Sequence, residues 1–298
     1  MTPKRVIISG ASGLIGHALT ASLRTDGVEV IHLVRRPASA PHEVEWLTDD
    51  DALSPDALAE SDAVVNLNGA SIGRLPWTRS YRATLRESRL TPTRTLANAL
   101  RQLGVDAPAF LSASAVGYYG NRPGVALDES GTPGDTFLAR LCVEWEDAAR
   151  SAGDAARTVL LRTAPILHPD GVLKPMIRLT RFGLGGPLGT GRQTWPWISL
   201  DDEVRAIRHA IDSELVGPVN LTGPTATTAG AIGRALAERL HRPYLLPAPA
   251  WALKLALGRA TADSLLLADA TVAPRVLLDS GFAFRHPTAE DAVVASLQ

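Results

Sequence analysis

The chain has 298 residues, of which 30 are basic and 31 are acidic, and 45% of its residues are hydrophobic. This length can bury a large core, and the composition is that of an ordinary globular protein of one or two domains. The arginines are scattered and the formal net charge is −1. We therefore expect no nucleic-acid partner, because such a partner requires a basic tract.

The single cysteine, Cys142, excludes an intrachain disulfide and argues against a structural zinc site, so we expect no metal. No stretch approaches the roughly 20 apolar residues that a membrane span requires, and the N-terminal apolar run is too short for a signal peptide. These features predict a cytoplasmic protein without a membrane partner. They leave open whether the chain forms an oligomer.

Short β-branched runs alternate with helical patterns through the first half of the chain. Continuous apolar runs predict buried strands, and apolar residues at helical spacing predict helices. The predicted strands are Arg5–Ser9, Val28–Val34, Ala63–Leu67, Ala109–Ala113 and Val159–Arg162. The predicted helices are Leu14–Thr25, Ser80–Leu103 and Phe137–Ala152. This alternation predicts an α/β fold, a doubly wound parallel Rossmann sheet with helices on both faces.

The second half of the chain differs from the first in its residue composition. The segment Gly183–Trp197 is rich in Gly, Pro and Trp, which predicts a long ordered loop of a kind that often has a function. The proline-rich segment Arg242–Pro249 marks the entry into a smaller C-terminal region. We therefore predict a Rossmann domain over residues 1–164 and a smaller, discontinuous C-terminal domain over 165–298. This second part is a substrate or cap region from which some strands return to the sheet.

Three glycines stand between the first predicted strand and the first predicted helix. A turn without Cβ atoms lets the backbone approach a pyrophosphate, and the helix N-terminus offers free N–H groups and a partial positive charge. We assign the tight turn to Gly10, the close approach to Gly13 and the helix–strand contact to Gly16. The predicted phosphate-binding residues are Gly10, Ser12, Gly13, Leu14, Ile15 and Gly16. The simpler alternative is a structural turn that binds no ligand.

The end of the second predicted strand distinguishes NAD from NADP. NAD-binding proteins usually place an Asp or Glu there, which accepts hydrogen bonds from the ribose 2′-OH. Here the strand ends in Val34-Arg35-Arg36-Pro37, without a carboxylate. Guanidinium groups suit a 2′-phosphate and can stack on adenine, so Arg35 and Arg36 predict NADP(H) as the cofactor. The alternative is a solvated basic loop.

Further motifs follow the glycine turn: NLNGA at 66–70, SASAVGYYG at 112–120, WE at 145–146, GLGGPLGTGRQ at 183–193 and WISLDD at 197–202. With GASGLIG at 10–16, they make the chain resemble the extended short-chain dehydrogenase/reductase superfamily. Within it, the chain is similar to the atypical group of epimerase family proteins, which is related to NAD(P)-dependent nucleotide-sugar epimerases. The resemblance runs over nearly the whole chain, including GFAF at 281–284.

This resemblance implies further cofactor contacts. They are Asn68, Gly69 and Ala70 beside the adenine ribose and pyrophosphate, Ser112 and Ala113 near the nicotinamide ribose, Arg89 near the cofactor, and the segment from Arg162 to Ile166 close to the nicotinamide carboxamide. For residues 68–70, the alternative is a turn that simply ends the strand.

The resemblance does not extend to the usual catalytic residues. Ordinary members use a Ser or Thr with a Y-x-x-x-K pair, in which the lysine makes the tyrosine anion accessible near neutral pH. Ser114 matches the serine, but Phe137 and Leu141 stand where the tyrosine and lysine are expected. Tyr118 and Tyr119 are the nearest phenols in the sequence. One of them is a candidate proton donor, and the alternative is a structural role.

The glycine-rich loop offers candidate substrate-binding residues. Gln193, Trp195 and Trp197 present polar and aromatic groups that suit a sugar-like ligand. Alternatively, the loop packs the two domains together.

Two functions are therefore open. The first is an NADP-dependent oxidoreductase or epimerase that acts on an unknown small molecule, for which a sugar-like compound is the candidate. The second is a catalytically silent NADP(H)-binding protein that senses the cofactor or binds a partner. The missing tyrosine–lysine pair supports the second function, whereas Ser114, the two tyrosines and the loop support the first.

Overall fold

The computed structural model describes residues 4–48, 53–154 and 156–297. The strands in these ranges are β1 (Arg5–Ser9), β2 (Glu29–Val34), β3 (Glu43–Glu45), β4 (Ala63–Asn66), β5 (Ala109–Ala115), β6 (Arg122–Leu127), β7 (Thr158–Thr163), β8 (Ile166–Leu167), β9 (Ile198–Ser199), β10 (Gly217–Leu221) and β11 (Ala270–Val272). The α-helices are α1 (Leu14–Thr25), α2 (Arg79–Leu103), α3 (Phe137–Arg150), α4 (Leu173–Arg181), α5 (Leu200–Asp212), α6 (Ala229–Arg239), α7 (Ala250–Leu257), α8 (Arg259–Thr261), α9 (Arg275–Asp279) and α10 (Ala289–Ser296).

The main sheet has seven strands in the order β10-β7-β5-β4-β1-β2-β3. Every neighbouring pair is parallel. Alternate residues of β1 face opposite layers: Val6 belongs to a core with Leu19 of α1, and Ile7 belongs to a core with Leu100 of α2. The predicted doubly wound Rossmann sheet is therefore confirmed. Its strand order reverses between β1 and β4, and dinucleotides bind at such a switch point.

The predicted strands and helices of the first half are confirmed, with ends within two residues of those predicted. The edge strand β3 was not predicted. Its three residues, Glu-Val-Glu, pair only with β2 and are too few to show an alternating pattern.

The C-terminal half contributes both to the sheet and to a core of its own. Strand β10 returns to the main sheet beside β7. A separate apolar core contains Trp197, Ile232 of α6 and Val293 of α10. The predicted loop before Trp197 is held by isolated bridges such as Leu188–Ala248. The domain boundary at residue 164 stays a prediction.

Within the described ranges, no helix is long and apolar enough to cross a membrane.

Candidate cofactor site

The glycine turn joins β1 to α1 at the switch point of the sheet. Gly10 has a φ of +80°, and a Cβ on it would lie 2.7 Å from the backbone of Leu67. A Cβ on Gly16 would lie 2.4 Å from the carbonyl oxygen of Gly10. The fold itself therefore requires glycine at both positions. Gly16 was predicted to make the contact between helix and strand. Its close contact is instead with the turn that follows β1, where the first turn of α1 packs on Gly10 and Ala11.

Gly13 differs from the other two glycines. It is the N-cap of α1, and its φ of −77° is open to any residue. A Cβ on Gly13 would meet only the Gly10 carbonyl oxygen, at an ordinary distance of 3.4 Å. Neither packing nor backbone conformation requires glycine here, and a side chain at this position would point to open space at the start of α1.

The N-terminus of α1 is open to an anion. It has no side-chain cap and no acidic residue in its first turn. The first N–H groups of a helix have no partner within the helix, so those of Leu14 and Ile15 suit a phosphate. Ser12, which is exposed, immediately precedes the N-cap.

A buried polar network fixes the carboxyl ends of β1, β4 and β5. The Asn68 amide donates to Ser9 Oγ at 2.7 Å and to Asn66 Oδ1 at 2.9 Å. The Asn66 amide donates to Thr93 Oγ1 at 2.7 Å and to Ser112 Oγ at 3.3 Å. Asn68 and Ser112 thus hold the strand ends in place, and Ala113 follows as a half-buried residue. Ser9, Asn66 and Thr93 were not predicted, although Ser9 and Asn66 lie beside and within the motifs at 10–16 and 66–70, and Thr93 lies on the predicted helix 80–103.

Arg89 lies against the segment after β4. A Cβ on Gly69 would lie 3.0 Å from its guanidinium carbon. The guanidinium donates to the carbonyl oxygens of Ala70 at 3.1 Å and Leu85 at 2.9 Å, and it lies 5.1 Å from the centroid of the Trp145 ring. Burial lowers the pKa of Arg89. It forms no ion pair within the described residues, so its positive charge remains uncompensated beside the turn.

The two arginines after β2 differ in their surroundings. Arg36 forms a bidentate ion pair with Glu43, with distances of 2.9 and 2.6 Å. This hydrogen-bonded pair lowers the pKa of Glu43 to about 2. Arg35 is exposed, and its side chain forms no hydrogen bond or ion pair with the described part of the chain. Arg35 is therefore the arginine that is available to a ligand.

Ser114 and Arg162 converge on Glu146, a fully buried carboxylate of α3. Ser114 Oγ donates to Glu146 Oε1 at 2.8 Å. The Arg162 guanidinium donates to both carboxylate oxygens, at 2.7 and 2.9 Å. Burial disfavours the charged form of Arg162, but the bonds and charge of Glu146 outweigh it and raise the pKa of the guanidinium. The Arg162 side chain is therefore committed to Glu146, and its backbone lies within β7 between β5 and β10, so its predicted contact with the cofactor stays a prediction.

The two candidate tyrosines lie in different environments. Tyr119 is fully buried, and its hydroxyl donates to Asn220 Oδ1 at 2.7 Å and accepts from Arg162 at 2.9 Å. Burial raises the pKa of Tyr119 to about 12. Tyr118 is half-buried, and its ring lies 3.6 Å from the Arg162 guanidinium carbon. Of the two phenols, Tyr118 is thus the one that a substrate can approach.

An apolar cluster occupies the positions at which ordinary short-chain dehydrogenases/reductases have the tyrosine–lysine pair. Phe137 packs against Trp77, with ring centroids 5.7 Å apart. Leu141 and Leu85 belong to the same cluster, and Leu265 of the C-terminal region packs onto it. None of these side chains can transfer a proton.

The three predicted substrate-binding residues of the glycine-rich loop are buried. Gln193 donates to the carbonyl oxygens of Leu188 at 3.0 Å and Leu266 at 2.9 Å. The Trp197 indole donates to the Thr225 carbonyl oxygen at 2.9 Å. The indole N–H of Trp195 is buried without a partner among the described residues. This geometry favours the packing role for Gln193 and Trp197.

One group of potential metal ligands occurs in the described residues: Asp201, Asp202 and His286. The Asp202 carboxylate already accepts from Ser199 at 3.0 Å and from the backbone N–H groups of Arg285 and His286 at 2.8 and 3.0 Å. These bonds join α5 to the C-terminal segment, which is a structural role.

Comparison with known proteins agrees with this architecture. The profile of the NAD dependent epimerase/dehydratase family matches residues 6–221, and that of DUF1731, a domain of unknown function, matches residues 248–295. An epimerase family protein of Mycobacterium bovis is 43% identical over 97% of this chain and 96% of its own length.

Two solved structures are also similar. The human epimerase family protein SDR39U1, crystallised with NADPH, is 31% identical, with a TM-score of 0.87 over 98% of each chain. A nucleoside-diphosphate sugar epimerase from Corynebacterium glutamicum is 33% identical, with a TM-score of 0.80 over 99% of this chain and 58% of that one. The chain therefore belongs to the NAD dependent epimerase/dehydratase family, as an atypical extended short-chain dehydrogenase/reductase with a C-terminal DUF1731 domain.

Proposed function

We propose that this chain binds NADP(H) at the turn between β1 and α1. The observation that carries the proposal is Gly13, where a side chain would be tolerated by the fold but would project at the open N-terminus of α1. A pyrophosphate placed there receives the N–H groups of Leu14 and Ile15. The uncompensated charge of Arg89 lies beside Gly69, in the segment after β4 on which Gly10 packs, and favours an anionic ligand.

The preference for NADP(H) over NAD(H) rests on Arg35. No carboxylate follows β2 directly to accept bonds from a ribose 2′-OH, and Glu43 is occupied by Arg36. The exposed guanidinium of Arg35 suits the additional 2′-phosphate. The NADPH in the structure of the human relative supports this choice.

Fluorescence titration with NADPH and NADH tests the preference. A hydrogen bond to a charged group contributes roughly 1.5–3 kcal/mol, so we expect Arg35→Gln to weaken NADPH binding by about tenfold or more and to leave NADH binding unchanged. Arg101→Gln, at an exposed position on α2, is the matched control and should change neither affinity. Equal affinities of the unaltered chain for the two cofactors would contradict the assignment.

We further propose that the bound cofactor takes no part in tyrosine–lysine chemistry, so that the chain acts as an NADP(H)-binding protein that senses the cofactor or presents it to a partner. The apolar cluster of Phe137, Leu141 and Trp77 supports this proposal. The bonds of Ser114 to Glu146 and of Tyr119 to Asn220 support it too, because both hydroxyls are engaged in the core.

An oxidoreductase or epimerase acting on a sugar-like small molecule, in the cytoplasm, is the second candidate. It is favoured by Tyr118, which is half-buried and makes no side-chain hydrogen bond within the described residues. Incubation of the chain with NADP+ and nucleoside-diphosphate sugars distinguishes the two candidate functions. We expect neither NADPH nor an epimer to form. Turnover that Tyr118→Phe abolishes would establish the second candidate and contradict the first.

A further inference from the structure

The C-terminal region exposes large apolar side chains on two segments of the chain, the loop after α4 and the segment that leads into α7. We call the set Phe182, Leu184, Leu245, Leu246, Trp251 and Leu255 the apolar face. Trp251 is 70% exposed, Phe182 77% and Leu255 81%. Helix α7, which carries the last two of the set, has no buried residue. Soluble proteins rarely leave such a group of side chains uncovered unless it contacts something.

Backbone hydrogen bonds hold the parts of this face together. The N–H groups of Leu245 and Leu246 both donate to the Gly185 carbonyl oxygen, at 2.9 and 3.0 Å. The N–H group of Ala248 donates to Pro187 at 2.8 Å, and α7 begins two residues later. The loop after α4 and the segment before α7 therefore lie side by side.

The same two parts of the chain are uniformly basic. Residues 171–200 contain four basic and no acidic residues, and residues 239–262 again contain four basic and none acidic, although the whole chain has a net charge of −1. Lys174 and Lys254 pair with Asp170 and Asp263, which lie just outside these segments. The remaining basic residues form no ion pair within the described ranges, and they are Arg178, Arg181, Arg192, Arg239, Arg242 and Arg259.

We propose that the apolar face and its arginines bind the surface of an anionic phospholipid bilayer. Exposed Trp, Phe and Leu side chains flanked by unpaired arginines match an interface in which apolar groups enter the acyl boundary and cations contact the headgroups. A second copy of this face would bring two sets of unpaired arginines together, which repel each other. A nucleic acid would leave the leucines and Phe182 without an apolar partner.

This proposal departs from the prediction of no membrane partner, which rested on the absence of a membrane span. A span requires one long apolar segment, whereas this face is assembled from two short segments that meet only in the folded chain. None of its residues belongs to the glycine turn, so the proposal does not depend on cofactor binding.

Co-sedimentation with vesicles tests the proposal. The full chain should sediment with vesicles that contain phosphatidylglycerol and remain in solution with vesicles of phosphatidylcholine alone. Each arginine near such a surface contributes the equivalent of about a fivefold change in affinity, so Arg178→Gln with Arg181→Gln should weaken binding by about 25-fold. Raised salt should weaken binding as well.

Phe182→Asp with Leu255→Asp tests the apolar part and should abolish sedimentation. The matched control is Val105→Asp with Val216→Asp, at positions that are 92% and 65% exposed on other parts of the surface, and it should sediment as the unaltered chain does. Unchanged thermal unfolding and NADPH binding in all variants show that they fold. Sedimentation that is equal with both kinds of vesicle, or unaffected by the aspartates, overturns the proposal. A dimer that the aspartates dissociate, or nucleic-acid binding that the glutamines abolish, overturns it in favour of that partner.

Discussion

Glu203 places a carboxyl group in the core, and its replacement should stabilise the protein in a pH-dependent way. Glu203 is fully buried on α5, where Oε1 accepts from Thr163 Oγ1 at 2.8 Å and Oε2 has no partner among the described residues. Burial raises the pKa of Glu203 from 4.5 to about 8, against a smaller opposing effect of the Thr163 bond. The folded protein therefore holds a proton that the unfolded chain releases above pH 4.5.

The sign and size of the effect follow from this difference. The stability linked to the bound proton is fully present below pH 4.5 and is lost as the pH rises to about 8. At about 1.36 kcal/mol for each pH unit, the loss is about 3 kcal/mol at pH 7 and about 5 kcal/mol at pH 8. A glutamine has a similar shape, can still accept the Thr163 bond and never ionises. Glu203→Gln should therefore be more stable than the unaltered chain by these amounts.

Urea denaturation from pH 5 to pH 9 measures the effect. The difference in the free energy of unfolding between Glu203→Gln and the unaltered chain should grow up to pH 8 and then level off. Glu238→Gln, at an exposed position of α6, is the matched control and should show no such trend. A difference for Glu203→Gln that does not change with pH would refute the reasoning.

Two further predictions concern the cofactor site. Gly16→Ala should lower the midpoint of thermal unfolding, because its Cβ would overlap the Gly10 carbonyl oxygen, whereas Gly13→Ala should leave the midpoint unchanged and weaken NADPH binding in a titration. Equal midpoints for both variants would contradict the assignment of the glycines. Glu146→Ala should destabilise the protein by about 3–5 kcal/mol in urea denaturation, because Arg162 would remain buried without a carboxylate to balance its charge. A loss below about 1 kcal/mol would show that water or another group replaces the carboxylate.

The architecture could be predicted because its signals are local. The buried strands are continuous apolar runs, and the three glycines follow directly after the first of them. Spacing within about 30 residues was enough to predict the unit of strand, turn, helix and strand. The resemblance to the family extended the same reasoning to Asn68 and Arg89.

Contacts between distant elements could not be predicted. Arg36 pairs with Glu43 because the edge strand β3 lies parallel to β2, and that strand is too short to leave a sequence signal. Glu146 was visible only as part of the WE motif, because its partners Ser114 and Arg162 lie on two other elements. The burial of Trp197 was hidden for another reason. A glycine-rich loop has no periodicity from which an inward face can be read.

A crystal structure of the chain with NADPH tests the central claim most directly. The claim predicts the pyrophosphate at Gly13, the 2′-phosphate within hydrogen-bond distance of Arg35, and the apolar cluster around Phe137 on the nicotinamide side. A pyrophosphate bound elsewhere, or a Tyr118 hydroxyl within hydrogen-bond reach of a substrate atom at the nicotinamide C4 face, would contradict the claim.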